Sequence, residues 1–201
     1  AGKASGKLVV PTHVQPVSAL HPELSYFKSS MNPNGHNVSV DYSLTYDDKN
    51  LYIAAKVDDP HHIQRFKKDN IWRGDNLQFV FADSPAAPAD ARSMETPLKS
   101  YTEGHNYSVA LTPRGTEIVK YHTRLGTRAK AEVVRKDNQT YYNITVPRSE
   151  INALPGKPLY FNFVVFDNNS KTANAAPYWL DMDDGLAGNR DNGALPLVVF
   201  E

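Results

Sequence analysis

Apolar and polar residues alternate with a period of two along much of the chain, which is the pattern of half-buried β-strands. In the segment NVSVDYSLTYDD the apolar positions are Val38, Val40, Tyr42, Leu44 and Tyr46. The segment NLYIAAKVDD repeats this alternation after the polar residues 47–50. Two such runs joined by a short polar loop predict a β-hairpin.

The strand pattern continues to the C-terminus. It recurs in DNLQFVFAD, HNYSVALTP, TEIVKYHT, PLYFNFVVFDNN and ALPLVVFE, and AKAEVVRKDNQTYYNITVPR predicts a hairpin that turns at Asp137 and Asn138. PLYFNFVVFDNN is apolar on both faces, as expected of a central strand. Helical signal is weak and amounts to one turn within residues 148–154. We therefore predict an all-β fold, an antiparallel β-sandwich of about nine to eleven strands, immunoglobulin-like or jelly-roll-like, with little helix.

The length of 201 residues suits one large β domain. We expect residues 1–37 to form an N-terminal extension, an edge strand or a linker, and residues 38–201 to form the sandwich. Residues 84–104 hold three prolines and no sustained period, so they predict a long loop.

Composition excludes several classes of function. The chain has 22 basic and 22 acidic residues, and this balance argues against nucleic acid as a partner, because phosphate binding needs a basic surface. No apolar run is long enough to span a membrane. Cysteine is absent, so the fold uses neither disulfides nor thiolate metal sites.

The sequence offers little for catalysis. It has no Gly-x-Ser-x-Gly motif and no cysteine nucleophile, and its seven histidines are scattered. The adjacent His61 and His62 would point to opposite faces of a strand and could not share one metal ion. These observations disfavour an enzyme.

The two tryptophans lie in polar stretches rather than in apolar runs. Trp72 follows KKDNI and precedes RGD, and Trp179 lies in NAAPYWLDMDD. An indole on a polar loop suits sugar binding, because it covers the C–H face of a pyranose while amides and charges bind the hydroxyls. The alternative is that one or both indoles pack against the edge of the sandwich.

Acidic residues collect at the predicted strand ends. Asp58, Asp59 and Asp167 each follow a strand, and a second acidic cluster occupies residues 181–184. Calcium prefers several carboxylate and carbonyl oxygens, so these residues are candidate ligands for a structural Ca²⁺. The alternative is that they are ordinary turn formers.

Five blocks resemble carbohydrate-binding module family 9 and the wider group of DOMON-like sandwiches. They are LTYDDKNLYIAAKVDDP, IWRGDNLQFVFAD, TYYNITVPRSEI, GKPLYFNFVVFDNN and YWLD, and the resemblance covers roughly residues 38–200. The resemblance implies a non-catalytic β-sandwich that binds sugar chain ends between two tryptophans, here Trp72 and Trp179, and that can carry structural calcium. It also implies attachment to a bacterial polysaccharide-degrading enzyme.

The chain departs from the family motif Trp-Glu-x-Asp-x-(Val/Ile)-Glu, because Gln78 replaces the final acid. An amide still donates and accepts, but it offers no charge-assisted bidentate bond. We expect Gln78, Asn174, His105 and Asn106 to supply hydrogen bonds to the sugar. We also expect a secreted, periplasmic or cell-surface monomer without an organic cofactor.

Two other functions follow from the same fold. DOMON-like sandwiches include haem-binding electron carriers, which need a Met/His axial pair, and the candidate methionines are Met31, Met94 and Met182. The domain could instead be a structural accessory of a glycan-active enzyme, with its tryptophans buried at a domain interface.

Overall fold

The computed structural model describes residues 8–10, 25–31, 38–82, 104–121, 123–154, 156–157, 159–168, 178–181 and 197–200. Twelve strands lie in these residues: β1 (Leu8–Val10), β2 (Ser25–Met31), β3 (Val38–Tyr46), β4 (Asn50–Asp58), β5 (Asn76–Ala82), β6 (Gly104–Thr112), β7 (Gly115–Lys120), β8 (Lys130–Lys136), β9 (Gln139–Pro147), β10 (Leu159–Asp167), β11 (Tyr178–Asp181) and β12 (Leu197–Phe200). Two 3₁₀ helices, Lys68–Arg73 and Arg148–Glu150, complete the elements of the described residues. None of the described helices is long and apolar enough to cross a membrane.

The strands form two sheets, which confirms the predicted all-β sandwich. One sheet has the order β1-β12-β10-β5-β6-β7, with β11 also paired to β10, and the other has the order β2-β3-β4-β9-β8. All pairs within these sheets are antiparallel except β1 with β12. The count of twelve slightly exceeds the expected nine to eleven, because short pairings such as β1 with β12 leave little alternation to detect.

Residues 8–10 and 25–31, the described parts of the N-terminal 37 residues, form edge strands of the two sheets. β2 pairs with β3 at the edge of the five-stranded sheet, and β1 pairs with β12 at the edge of the seven-stranded sheet. The long apolar strand β10 is central, as predicted, since β5 lies on one side of it and β11 and β12 lie on the other.

Aromatic side chains fill the space between the sheets. Phe79 stacks on Tyr107 with ring centroids 4.7 Å apart and an interplanar angle of 12°. The ring centroid of Tyr42, from the opposite sheet, lies 4.4 Å from that of Phe163. These residues occupy alternate positions of their strands, so the period of two in the sequence corresponds to the core.

The sandwich has two distinct ends. At one end, hereafter the aspartate end, β4 and β10 finish and β5 begins. At the other end, the carboxylate of Glu150 accepts hydrogen bonds from Tyr107 at 2.7 Å and from the N–H of Arg128 at 2.8 Å. Burial by itself raises the pKa of Glu150, but these bonds, a further one from Thr127 and the charge of Lys120 bring it below its usual value. This buried charge is therefore compensated.

We expect Phe79→Ala to destabilise the fold by about 3–5 kcal/mol, because the truncation opens a cavity beside Tyr107. Urea denaturation monitored by circular dichroism measures the free energy of unfolding. Val134→Ala, at a position 45% exposed, is the matched control and should change that free energy by less than about 0.5 kcal/mol. Equal losses in the two variants would contradict the assignment of the core.

Candidate functional site

Three buried carboxylates meet at the aspartate end. Asp59 follows β4, Asp75 precedes β5 and Asp167 ends β10, so the sheet topology brings them together from distant parts of the sequence. One carboxylate oxygen from each lies within 4.8 Å of the others, and all three residues are buried. We call Asp59, Asp75 and Asp167 the carboxylate group.

Main-chain hydrogen bonds orient these side chains. The Oδ1 of Asp75 accepts from the N–H of Asn168 at 2.6 Å, and its Oδ2 accepts from the N–H of Ile63 at 2.5 Å. The Oδ1 of Asp59 accepts from the N–H of His61 at 2.8 Å. The carboxylates are therefore fixed in place by the backbone.

The electrostatics of the carboxylate group favour a proton or a cation. Burial, with the nearby charges of Asp59 and Asp167, raises the pKa of Asp75 to about 8 despite its backbone hydrogen bonds. Burial and the charge of Asp167 raise the pKa of Asp59 to about 6. Three oxygen-donor carboxylates in one buried place suit a hard cation such as Ca²⁺, which would remove the repulsion among them. The donor set therefore fits the ion that the family resemblance implies.

His62 borders the carboxylate group. Its Nε2 lies 2.9 Å from the main-chain oxygen of Leu111, which can only accept, so Nε2 carries the hydrogen. Its Nδ1 lies 3.7 Å from the Oδ2 of Asp75. Burial lowers the pKa of His62, so the ring is neutral at pH 7 and does not compensate the carboxylates.

Of the three predicted calcium ligands, the structure brings together Asp59 and Asp167 but not Asp58. The carboxylate of Asp58 accepts hydrogen bonds from Ser39 at 3.1 Å and from Gln139 at 2.5 Å. Successive strand residues point to opposite faces, so the neighbours Asp58 and Asp59 diverge. Asp75 completes the group in place of Asp58. The sequence feature that could have identified Asp75 is its position in the WRGD segment, where it matches the aspartate of the family motif.

Trp72 lies on the 3₁₀ helix Lys68–Arg73, hereafter the tryptophan turn. The indole is 42% exposed, whereas the neighbouring Ile71 is fully buried and anchors the turn. The guanidinium of Arg73, at the end of the turn, lies 4.8 Å from the ring centroid of Phe66. Trp72 is thus an exposed aromatic on an ordered support, and it is not part of the core.

The register brings the backbone of Trp179 to the same end of the seven-stranded sheet. Asn76, at the start of β5, pairs with Phe166, and Phe166 pairs with Trp179 on β11. Neighbouring strands are about 4.8 Å apart, so the backbones of Asn76 and Trp179 are separated by about 10 Å. Gln78 is half-buried and lies two residues after Asn76 on β5. It is on the face opposite the core residues Leu77 and Phe79.

The other predicted sugar ligands divide between the two faces of the sheet. Asn106 is buried and pairs with Val80, so it shares the outer face with Gln78. His105 pairs with Phe81 and, by the alternation of β6, lies on the core side with Tyr107. The strand geometry thus separates His105 from Gln78. Asn174, Asp183, Asp184 and the haem candidates Met94 and Met182 lie outside the described residues, as do the side chains of Trp179, Asp181 and Met31.

A family model described as carbohydrate family 9 binding domain-like matches residues 18–185. The chain belongs to this family. Among curated proteins, none matches its sequence.

Two solved structures are similar to this family 9 chain. They show a family 9 carbohydrate-binding module from Caldicellulosiruptor kristjanssonii in complex with cellotriose and with glucose. Each is 13% identical to this chain, with a TM-score of 0.67, and each comparison covers 98% of this chain. The matches cover 94% and 96% of those two chains, respectively. At this identity the likeness establishes the shared fold.

In the metal-free protein we expect stability to fall as pH rises from 7 to 9, above the range in which the lowered pKa of His62 acts in the opposite direction. A carboxyl group whose pKa is raised in the folded state binds protons more tightly when folded, so its stabilisation is complete below its ordinary value of 3.8. That stabilisation is lost as pH rises through about 6 for Asp59 and about 8 for Asp75. Thermal melts in chelator across this range measure the slope.

Asp59→Asn removes one of the repelling charges and should flatten this decline. Asp69→Asn, at an exposed position of the tryptophan turn, is the control and should keep the slope of the parent. A parent whose melting temperature is independent of pH in chelator would refute the electrostatic description.

Proposed function

We propose that this chain is a non-catalytic carbohydrate-binding module that holds a β-glucan end or a glucose unit between Trp72 and Trp179. The observation that carries the proposal is the exposed indole of Trp72 on an ordered turn, at the sheet end that also carries the backbone of Trp179. Membership of family 9 supports the sugar as ligand class. The similar structures bound to cellotriose and glucose support the choice of sugar.

The chemistry of a pyranose explains the arrangement. Its two faces present C–H groups that aromatic rings cover, and its equatorial hydroxyls project at the rim, where polar side chains bind them. Gln78, half-buried on the outer face of the seven-stranded sheet, is the described candidate for this rim, whereas Asn106 on the same face is buried. Because Gln78 is neutral, the proposed site binds hydroxyls through ordinary hydrogen bonds rather than through a carboxylate.

The proposed setting is an extracellular bacterial polysaccharide-processing protein. In this setting the module acts as a monomer that keeps a neighbouring catalytic domain close to its substrate. Such linkage raises the effective concentration of the substrate at the catalytic domain without any new contact to it.

We further propose that the carboxylate group binds a structural Ca²⁺. Asp59, Asp75 and Asp167 would hold the ion, and the ion would supply positive charge among them. Because the ligands come from the end of β4, the start of β5 and the end of β10, binding would stabilise only the folded state. The role is structural, and no contact between ion and sugar is implied.

Trp72→Ala should abolish binding of cellotriose with little change in melting temperature, because the indole is exposed and contributes little to the core. Isothermal titration calorimetry with cellotriose and glucose measures the affinity. Leu125→Ala removes a side chain that is 96% exposed and should leave binding intact. Full affinity in the Trp72→Ala variant would eliminate the clamp.

Chelator should lower the melting temperature of the parent by several degrees, because a site filled at 100 times its Kd adds about 2.7 kcal/mol. Calcium should restore the melting temperature and magnesium should not, since Mg²⁺ demands near-octahedral geometry and keeps its waters.

The neighbouring aspartates provide a matched pair for this test. Asp59→Asn should lose the calcium response, and Asp58→Asn should keep it, because the carboxylate of Asp58 is bonded to Ser39 and Gln139 instead. An unchanged melt in chelator, together with no metal by elemental analysis, would leave these aspartates as turn residues.

A further inference from the structure

The buried amide of Gln64 links both ends of the tryptophan turn. Gln64 lies in the segment between β4 and this turn. Its Nε2 donates to the main-chain oxygens of Ile71 at 2.8 Å and of Asp75 at 3.0 Å, and its Oε1 accepts from the N–H of Phe66 at 3.0 Å. Both amide hydrogens are therefore used on the main chain on either side of Trp72.

Gly74 is required by the closeness of this amide rather than by its own backbone conformation. Its φ of −111° is open to any residue. A Cβ at this position, however, would lie 2.5 Å from the Oε1 and 2.6 Å from the Cδ of Gln64. The side chain of Gln64 therefore packs directly on the backbone that follows Trp72.

Asn168 forms hydrogen bonds to the same stretch. Its Nδ2 donates to the main-chain oxygen of Arg73 at 2.7 Å, while its own N–H donates to the Oδ1 of Asp75. The oxygens of Ile71, Arg73 and Asp75 thus all accept from side-chain amides of buried residues. A 3₁₀ helix has poor internal hydrogen-bond geometry, and these bonds from outside the turn add to its own.

We propose that Gln64 is a positioning residue for Trp72, with Gly74 as its packing partner. The amide holds the turn in one conformation, so that the half-exposed indole is oriented before a sugar arrives. Orienting the ring in advance lowers the ordering cost of binding. The effect on affinity rests on the proposed function, whereas the effect on the environment of Trp72 does not.

A double-mutant cycle tests the interlock of Gln64 and Gly74. Affinity for cellotriose is measured by calorimetry for Gln64→Ala, Gly74→Ala and the double variant, well below the lowest melting temperature. We expect each single change to weaken binding by about tenfold or more, and the double variant to match Gln64→Ala within about twofold. The reason is that the three atoms nearest to a Cβ at position 74 all belong to the amide of Gln64, which this truncation removes.

Two further variants separate positioning from general destabilisation. Gln64→Met keeps the side-chain length but loses both donors, so it should weaken binding as much as Gln64→Ala even where its melting temperature is higher. Asp69→Ala, at an exposed position of the same turn, should bind as the parent does.

The emission of Trp72 reports on the turn without any sugar. In a Trp179→Phe background Trp72 is the sole tryptophan, since the chain has two. Gln64→Ala and Gln64→Met should shift its emission and increase its quenching by acrylamide, and Asp69→Ala should do neither.

Unchanged emission and unchanged affinity in folded Gln64→Ala and Gln64→Met variants would overturn the proposal. It would also be overturned if the affinity losses of Gln64→Ala and Gly74→Ala multiplied in the double variant. If the parent binds neither cellotriose nor glucose, the proposed function fails. The emission measurements then still support or overturn the positioning role by the same comparison.

Discussion

The hydrogen bonds of Asp75 hold together the parts of the chain that form the aspartate end. Its carboxylate accepts from the N–H groups of Ile63 and Asn168, and its main-chain oxygen accepts from Gln64. The segment before the tryptophan turn, the start of β5 and the end of β10 therefore meet at one residue. The position of Trp72 and the closeness of the three carboxylates both depend on this junction.

The two ends of the sandwich differ in what surrounds their buried carboxylates. Glu150 has a lysine and several hydrogen-bond donors around its carboxylate. Asp59, Asp75 and Asp167 face one another, and backbone N–H groups compensate them only in part. Buried charges that are only partly compensated destabilise a fold. The aspartate end therefore needs protons or a cation, and the opposite end needs neither.

The exposed Trp72 is carried by residues that are separate from the core. These residues, Gln64, Asn168 and Asp75, are buried and polar, and they are distinct from the aromatic core between the sheets. Core packing and presentation of Trp72 are thus separate tasks of separate residues. This separation is consistent with a fold kept at 13% identity, since sandwiches depend on alternation and total volume more than on particular residues.

The sequence by itself determined the elements. Strict alternation predicted β3, β4, β8 and β9 and the turn at Asp137 and Asn138, where both residues adopt positive φ values of 51° and 61°. The polar surroundings of Trp72 predicted its exposure, because exposure follows from local composition. Strand-end chemistry also singled out Asp59 and Asp167. These features depend on near neighbours in the chain, which periodicity and turn chemistry report.

Only the tertiary structure decided which residues meet. The local sequence did not distinguish Asp58 from Asp59. In the folded chain the carboxylate of Asp58 bonds to Gln139, whereas that of Asp59 lies close to those of Asp75 and Asp167. The alternation of β6 likewise separates His105 from Asn106. Nothing in the sequence around Gln64 predicted that its amide would pack against Gly74. Contacts between residues far apart in sequence depend on strand register and sheet order, and a single sequence without its pairing partners does not specify these.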